Sequence, residues 1–167
     1  MDIAIIWNAR ESRGDWTIVS GDLALDNPLR SAVMVSIFSD RVAPDQSSPA
    51  DFAIAIQEPG NAAVSGLNDR RGWWGDAYEP DGIPIGSRLW QLRRAIKVGE
   101  QTVLLELKDI LKECLQWLID DGVAASIAIQ TAWSAVSPNT AEFAISVFEP
   151  GASTPQTFLF SWAWEGL

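Results

Sequence analysis

The spacing of apolar positions changes along the chain, and each change marks a different kind of element. At the start, Ile3, Ile5 and Trp7 alternate with Asp2, Ala4 and Ile6. A second short stretch, Trp16 to Val19, lies between Gly14-Asp15 and Ser20-Gly21, so residues 1–25 read as a loose N-terminal hairpin. Asp26-Asn27-Pro28 is a helix start with a mechanism: Asp or Asn accepts an orphan amide bond, and Pro at the first helical position loses nothing by lacking an N–H. Leu29, Val33 and Ile37 then fall on one face with Ala32 and Ser36 beside them, which predicts a helix from Pro28 to about Phe38. The run Val33 to Phe38 also fits a buried strand, and periodicity alone leaves both open.

From 40 to 86 the chain is rich in Pro and Gly, which breaks up any long regular element; one short strand, Phe52 to Gln57, interrupts it. Loops of this length inside compact domains tend to be functional or docked on a partner, so this segment is the expected working surface. A short helix is expected from Ser87 to about Arg94. The clearest element follows Val98-Gly99. Val103, Leu104, Leu107, Ile110, Leu111, Cys114, Leu115 and Leu118 form a broad apolar stripe, with Glu106, Asp109, Lys112, Glu113 and Gln116 largely outside it. That predicts a long amphipathic helix over 100–121, closed by Gly122 in a left-handed cap. Beyond it, within 125–165, Ser126 to Trp133, Glu142 to Phe148 and Thr157 to Trp164 carry β-branched and aromatic residues, separated by Ser137-Pro138-Asn139 and Glu149-Pro150-Gly151. Three sequential strands with turns between them predict an antiparallel meander. The fold class expected is therefore α+β: a C-terminal meander packed against one long helix, with a shorter N-terminal helix and a long Pro/Gly-rich loop region.

Composition narrows what such a fold can do. The 167 residues suit one domain, and a net charge of −10, from 12 basic and 22 acidic side chains, disfavours nucleic acid and anionic membrane as partners. Histidine is absent, which excludes Ser-His-Asp and Cys-His nucleophiles and imidazole metal sites. Cys114 has no second cysteine to pair with and reads as a small buried hydrophobe suited to a reducing compartment. The N-terminus has no basic region before its short apolar run, and no stretch reaches the ~18 to 20 apolar residues of a membrane span, so a soluble, non-secreted protein is expected. There are nine tryptophans against one tyrosine, and Trp is concentrated in cores and at protein interfaces, so contact surfaces are indicated.

The candidate site lies in Asp69-Arg70-Arg71-Gly72-Trp73-Trp74-Gly75-Asp76, which sets two Arg, two Trp and two Asp among glycines. Arg and Trp dominate binding energy at interfaces, which favours a partner-binding knot. Two other readings stand beside it: Trp73 and Trp74 plug the core while Arg70 and Arg71 tie down carboxylates, or the Trp faces stack on sugar rings. Arg88 and Trp90 on the following short helix join the candidates. So do Asp120 and Asp121, which sit where the helix dipole is negative and call for an offsetting cation such as Arg70, Arg71 or Arg88, or simply bear the surface penalty. Glu79 with Asp81, or Asp69 with Asp76, could form a glycosidase-type acid pair, but an acidic chain holds many chance pairs. No phosphate-binding loop, dinucleotide fingerprint, CxxC or EF-hand pattern is present, so no catalytic residue, metal or cofactor is assigned.

RRGWWGD, followed ten residues later by GSRLWQLRR and then by CLQWLIDDGVA, resembles the Mu-like phage baseplate protein family, wedge subunits of contractile tails. The same pattern extends to GDWTIVSGDL (14–23) and AVMVSIFSDRVA (32–43), so the resemblance spans most of the chain as a single wedge domain, 1–167. More distantly the family is similar to the small wedge protein that initiates the tail sheath in other contractile phages and in type VI secretion, at times labelled lysozyme-like. The resemblance implies a non-enzymatic structural subunit of the virion tail baseplate, assembled in the host cytoplasm in several copies per particle. Its implied partners are other baseplate wedge proteins, the tail sheath and hub or spike proteins. In the distant relatives an acidic-Pro-Arg motif follows the main helix; here Asp120-Asp121-Gly122-Val123 keeps the acid and lacks the Pro-Arg. The meander's open edges suit strand addition from another chain, with the run Phe158 to Trp164 as the candidate edge. The rival function is a carbohydrate-binding or lysozyme-like domain that uses the Trp-rich loop.

Overall fold

The computed structural model describes residues 2–8, 13–44, 46, 48–49, 51, 71–73, 76, 78, 84–92, 99–137 and 139–163. Two compact units divide the chain, Met1–Val35 and Ser36–Leu167.

In the first unit, short antiparallel ribbons meet in a three-way junction. Strand β1 (Asp2–Ile3) pairs with β6 (Leu25–Asp26), β2 (Ile5–Asn8) with β3 (Arg13–Trp16), and β4 (Ile18–Val19) with β5 (Asp22–Leu23). At the junction the Ala4 N–H donates to the Ala24 carbonyl and the Ala24 N–H to the Thr17 carbonyl, both at 2.8 Å. The expected hairpin is thus real in outline and different in its pairing. The strand opposite Ile5–Asn8 is Arg13–Trp16, not Trp16 to Val19, because at Thr17 the chain changes partner. Ser20 and Gly21, both at positive φ (56° and 86°), make the primed turn that folds Ile18–Val19 back onto Asp22–Leu23.

Helix α1 (Pro28–Phe38) runs across the division between the units. Asn27 starts it: its Oδ1 accepts the Leu29 N–H at 2.9 Å, and Pro28 takes the first helical position. Leu29, Val33 and Ile37 are buried while Met34, Val35 and Phe38 are exposed, which decides the sequence's ambiguity for helix.

The second unit is a helix laid on a sheet. Helix α3 (Gln101–Asp120) buries the predicted stripe from Val103 to Leu118, and the short helix α2 (Leu89–Leu92) is buried throughout. Past Asp121 the chain leaves α3 through Gly122 at φ 71°, with the Gly122 N–H on the Ile119 carbonyl (3.0 Å) and the Ala124 N–H on the Leu118 carbonyl (2.7 Å). The strands β7 (Ser126–Trp133), β8 (Thr140–Phe148) and β9 (Gln156–Ala163) form an antiparallel sheet in the order β7-β8-β9. Alternation assigns its two faces. Ala141, Phe143, Ile145 and Val147 are buried, and across the register lie Ile127, Ile129, Thr131 and Trp133 on one side and Phe158, Phe160 and Trp162 on the other. Helix α3 is tied to β7 by the Thr131 hydroxyl on the Leu104 carbonyl and the Trp133 indole N–H on the Glu100 carbonyl, each at 3.3 Å. Phe160 lies between Phe143, tilted against it with centroids 5.6 Å apart, and Phe38, edge-to-face at 5.5 Å. Among the described residues, no helix is long and apolar enough to cross a membrane.

Candidate functional site

The site is organised by a short parallel pairing of Asp40 with Ser87. The Ser87 N–H donates to the Ser39 carbonyl (2.9 Å) and the Arg41 N–H to the Ser87 carbonyl (3.0 Å). The Ser87 hydroxyl donates to the Ile37 carbonyl (2.5 Å) and accepts the Leu89 N–H (3.2 Å), so one buried side chain joins the end of α1 to the start of α2. Gly86 makes this approach possible. Its φ is +100°, and a Cβ there would collide with the Ser39 carbonyl.

Two arginine centres grow from this junction. Arg71, itself at the unusual φ of 52°, sets its Nη1 2.8 Å from Asp40 Oδ2 and its guanidinium 4.8 Å from the Trp90 ring centroid. The buried Trp90 is held in turn by its indole N–H on the Arg41 carbonyl at 2.9 Å. Gly72, at φ +106°, lies so close to Val42 that an added Cβ would stand 3.0 Å from the Val42 Cβ. Trp73 and Tyr78 are 40% and 80% exposed. The Trp73 carbonyl accepts the Asp76 N–H (3.1 Å), and Asp76 Oδ1 accepts the Ile85 N–H (3.0 Å), while its buried Oδ2 has no hydrogen bond. Asp76 thus bonds both to Trp73 and to Ile85, with the Trp73 and Tyr78 side chains at the surface.

Arg88 faces the other way. Its Nε donates to Glu113 Oε2 (3.0 Å), its Nη1 to Asp51 Oδ1 (3.3 Å) and Gln91 Oε1 (3.1 Å), and its Nη2 lies 3.7 Å from Glu106 Oε1. Asp51 and Glu106 are both buried. Asp51 also accepts the Ser48 N–H (2.7 Å) while Ser48 Oγ accepts the Asp51 N–H (3.1 Å), a reciprocal capping pair that pins this turn to the arginine. Arg41 reaches Glu113 Oε1 at 3.5 Å, which links the two centres. Burial, reinforced by the nearby Asp51 charge, pushes the Glu106 carboxyl up from its ordinary range, and Arg88 pulls it partly back. For Arg88, burial opposes the charge, but the hydrogen bond and charge of Glu113, then Asp51 and Glu106, leave its affinity for the proton raised.

The structure thus brings Arg71, Gly72, Trp73, Asp76 and Trp90 around one loop and binds Arg88 into a separate buried cluster; Arg70, Trp74 and Gly75 lie outside the described residues, as do Phe52 to Gln57, Asp69, Glu79, Asp81 and Arg94. Asp120 and Asp121 stand apart at the end of α3. Neither Arg71 nor Arg88 offsets them: Arg71 is engaged by Asp40 and Arg88 by Asp51, Glu106 and Glu113, and Asp120 instead accepts the Gln116 side-chain N–H at 2.9 Å. Glu106, expected largely outside the apolar stripe, is buried in it, because Arg88 supplies the charge that its helix position lacks. Sequence reading also missed Asp40, Arg41, Asp51 and Glu113 as partners of the arginines. The Ser48-x-x-Asp51 capping spacing was the one local signal that could have pointed to Asp51. Cys114 is buried, donates weakly to the Leu111 carbonyl (3.4 Å) and is pushed by burial up to about 12, so its thiol stays protonated. Among the described residues, no group of three His, Cys, Asp or Glu side chains is arranged to hold a metal ion.

Comparison with known proteins is consistent across the chain. Residues 29–154 match the family described as phage protein GP46. A Mu-like prophage FluMu protein gp46 from Haemophilus influenzae is 32% identical over 162 residues, covering 97% of this chain and 98% of that protein. The baseplate protein gp46 of Escherichia phage Mu is 35% identical over 129 residues, 77% of this chain and 75% of that protein. No solved structure matches. With a family match over three quarters of its length and a relative aligned nearly end to end, the chain belongs to the phage protein GP46 family, the Mu-like baseplate family its sequence blocks resemble.

Proposed function

We propose that this protein is a structural subunit of a contractile-tail baseplate that joins wedge components and helps template the sheath. It works by contact with other polypeptides and transforms no substrate. The observation that carries the reading is its kinship, over 77% of its length, with a protein of phage Mu named for the baseplate. The geometry is compatible with such work. Arg71, Trp73 and Tyr78 put a cation and two aromatic side chains at the surface, with Arg71 held against Asp40 and Trp90 and Asp76 bonded to the Ile85 N–H, and Arg and aromatic groups are what interfaces use as anchors. Among the described residues, β7 and β9 are the outer strands of the sheet, and their unpaired backbone edges suit extension by a strand from a neighbour. Arg70, Trp74 and Gly75, next to Arg71 and Trp73 in the sequence, are proposed as partner-binding residues with them, and Asp120 and Asp121 offer a separate acidic corner at the end of α3. Wedge, sheath and hub or spike proteins are the proposed partners, in several copies per particle assembled in the host cytoplasm.

Deleting the gene from an inducible prophage tests this reading. Electron microscopy of the induced lysate should then show heads without sheathed tails, restored by the gene in trans. Normal tails from the deletion would refute it, as would release of reducing ends from peptidoglycan by the purified protein.

A further inference from the structure

The charges of the Arg88 cluster do not balance. Arg41 and Arg88 face Asp51, Glu106 and Glu113, so with all five ionised the cluster carries one negative charge too many. An uncompensated charge away from water is costly, and a bound proton removes it. Position decides which carboxyl takes that proton. Glu113 is 38% exposed and meets both arginines, Arg88 at 3.0 Å and Arg41 at 3.5 Å. Asp51 lies 3.3 Å from Arg88 and also accepts the Ser48 N–H at 2.7 Å. Glu106 is worst served: its side chain is 9% exposed, Arg88 Nη2 stands 3.7 Å away, beyond hydrogen-bond reach, and among the described residues no other cation approaches it.

The groups around Glu106 agree with this. Burial favours its protonated form first, then the charges of Asp51 from the turn and Asp109 from its own helix, and Arg88 opposes them. Lys112 answers part of the Asp109 charge at 3.0 Å. Once protonated, Glu106 donates to the Asp51 carboxylate, so the proton bridges α3 and the Ser48–Asp51 turn. That turn keeps its shape by its own reciprocal bonds, and among the described residues its polar ties to α2 and α3 run through the Asp51 carboxyl. We infer that the Ser48–Asp51 turn is a proton-linked latch: it docks on α3 with Glu106 protonated and donating to Asp51, and loss of that proton loosens the turn while the helix–sheet core stays folded. By linkage, docking takes up the proton from water and undocking returns it. Docking therefore weakens as pH rises from the ordinary carboxyl value of 4.5 through the docked midpoint, and levels off above it. The inference stands apart from the baseplate role.

Nuclear magnetic resonance on the full chain tests it. The Glu106 carboxyl carbon should titrate with a midpoint above 4.5, and the Ser48 and Asp51 amide signals should titrate with it. The hydrogen-exchange protection of those two amides, corrected for the intrinsic pH dependence of exchange, should fall through the same midpoint, while that of Leu107, Ile110 and Leu111 in α3 holds. Glu106→Gln, whose side-chain amide can donate to Asp51 at any pH, should remove the pH dependence of the turn's protection. Asp51→Asn should move the Glu106 midpoint downward. A Glu106 midpoint at or below 4.5, turn amides that do not follow it, or core amides that lose protection together with the turn would overturn the inference. All three are read in the unmutated chain, so the test holds even if neither variant folds. A folded Glu106→Gln protein that keeps the pH dependence of the turn would overturn it equally.

Discussion

Arg71 and Arg88 sit on the same junction and do opposite things. Arg71 is about one third exposed, pairs with Asp40 and lies on the Trp90 indole; Arg88 is 13% exposed and gathers Asp51, Glu106, Glu113 and the Gln91 amide. An exposed pair contributes little to stability because water already solvates both charges. A buried arginine is different, since removing it strands the charge of the buried Asp51 and Glu106 in a poor solvent, while Glu113 keeps Arg41. The contrast separates two environments that residue type alone runs together: Arg88 ties Asp51 to the long helix from a buried position, and Arg71 lies at the surface against Asp40 and Trp90.

The sharpest way to break this contrast is Arg88→Met, which leaves Asp51 and Glu106 buried without their cation. It should destabilise the protein by about 3 to 5 kcal/mol at neutral pH in urea unfolding, and by less in acid as the carboxyls take up protons. Gly86→Ala should follow at about 2 to 3 kcal/mol, from the left-handed backbone and the Ser39 carbonyl that must move, read as a fall in thermal midpoint. Glu106→Gln tests the buried centre through pH. A carboxyl raised in the folded state binds its proton more tightly there than in the unfolded chain. Stability should therefore fall as pH rises from its ordinary 4.5 up through the folded value and then level off. The Gln variant should flatten that slope, whereas Asp40→Asn, in the exposed centre, should leave it in place. The smallest effects concern Arg71. Its coupling to Asp40 should be about 0.2 to 1 kcal/mol in a double-mutant cycle, and the cycle of Arg71→Gln with Asp121→Asn should be additive within about 0.5 kcal/mol. In the native state Cys114 should resist thiol reagents over hours at neutral pH, and rapid labelling would show that the α3 stripe opens.

Local pattern made much of the second unit legible. The α3 stripe, its Gly122 exit and three strands broken by Pro and Gly turns each rest on spacing within a few residues, and the structure places them within about two residues of expectation. The N-terminal ribbons were legible only as β, since alternation tells a residue's side of a strand but not which strand it faces. In the candidate site Arg71 lies on Trp90 and Gly72 against Val42, whereas Arg88, grouped with them by composition, belongs to another cluster.

The sequence by itself determined the α+β class, the helix α1 start at Asn27-Pro28, the family, and the exclusion of histidine chemistry, because each depends on which residues are present or on neighbours one or two turns away. Only the tertiary structure decided that Glu106 is buried, that Arg88 turns inward and Arg71 outward, and that the chain changes partner at Thr17. Those outcomes join residues as far apart as Asp51 and Arg88 or Asp40 and Arg71, and the sign of a charge does not say which opposite charge the fold will bring beside it.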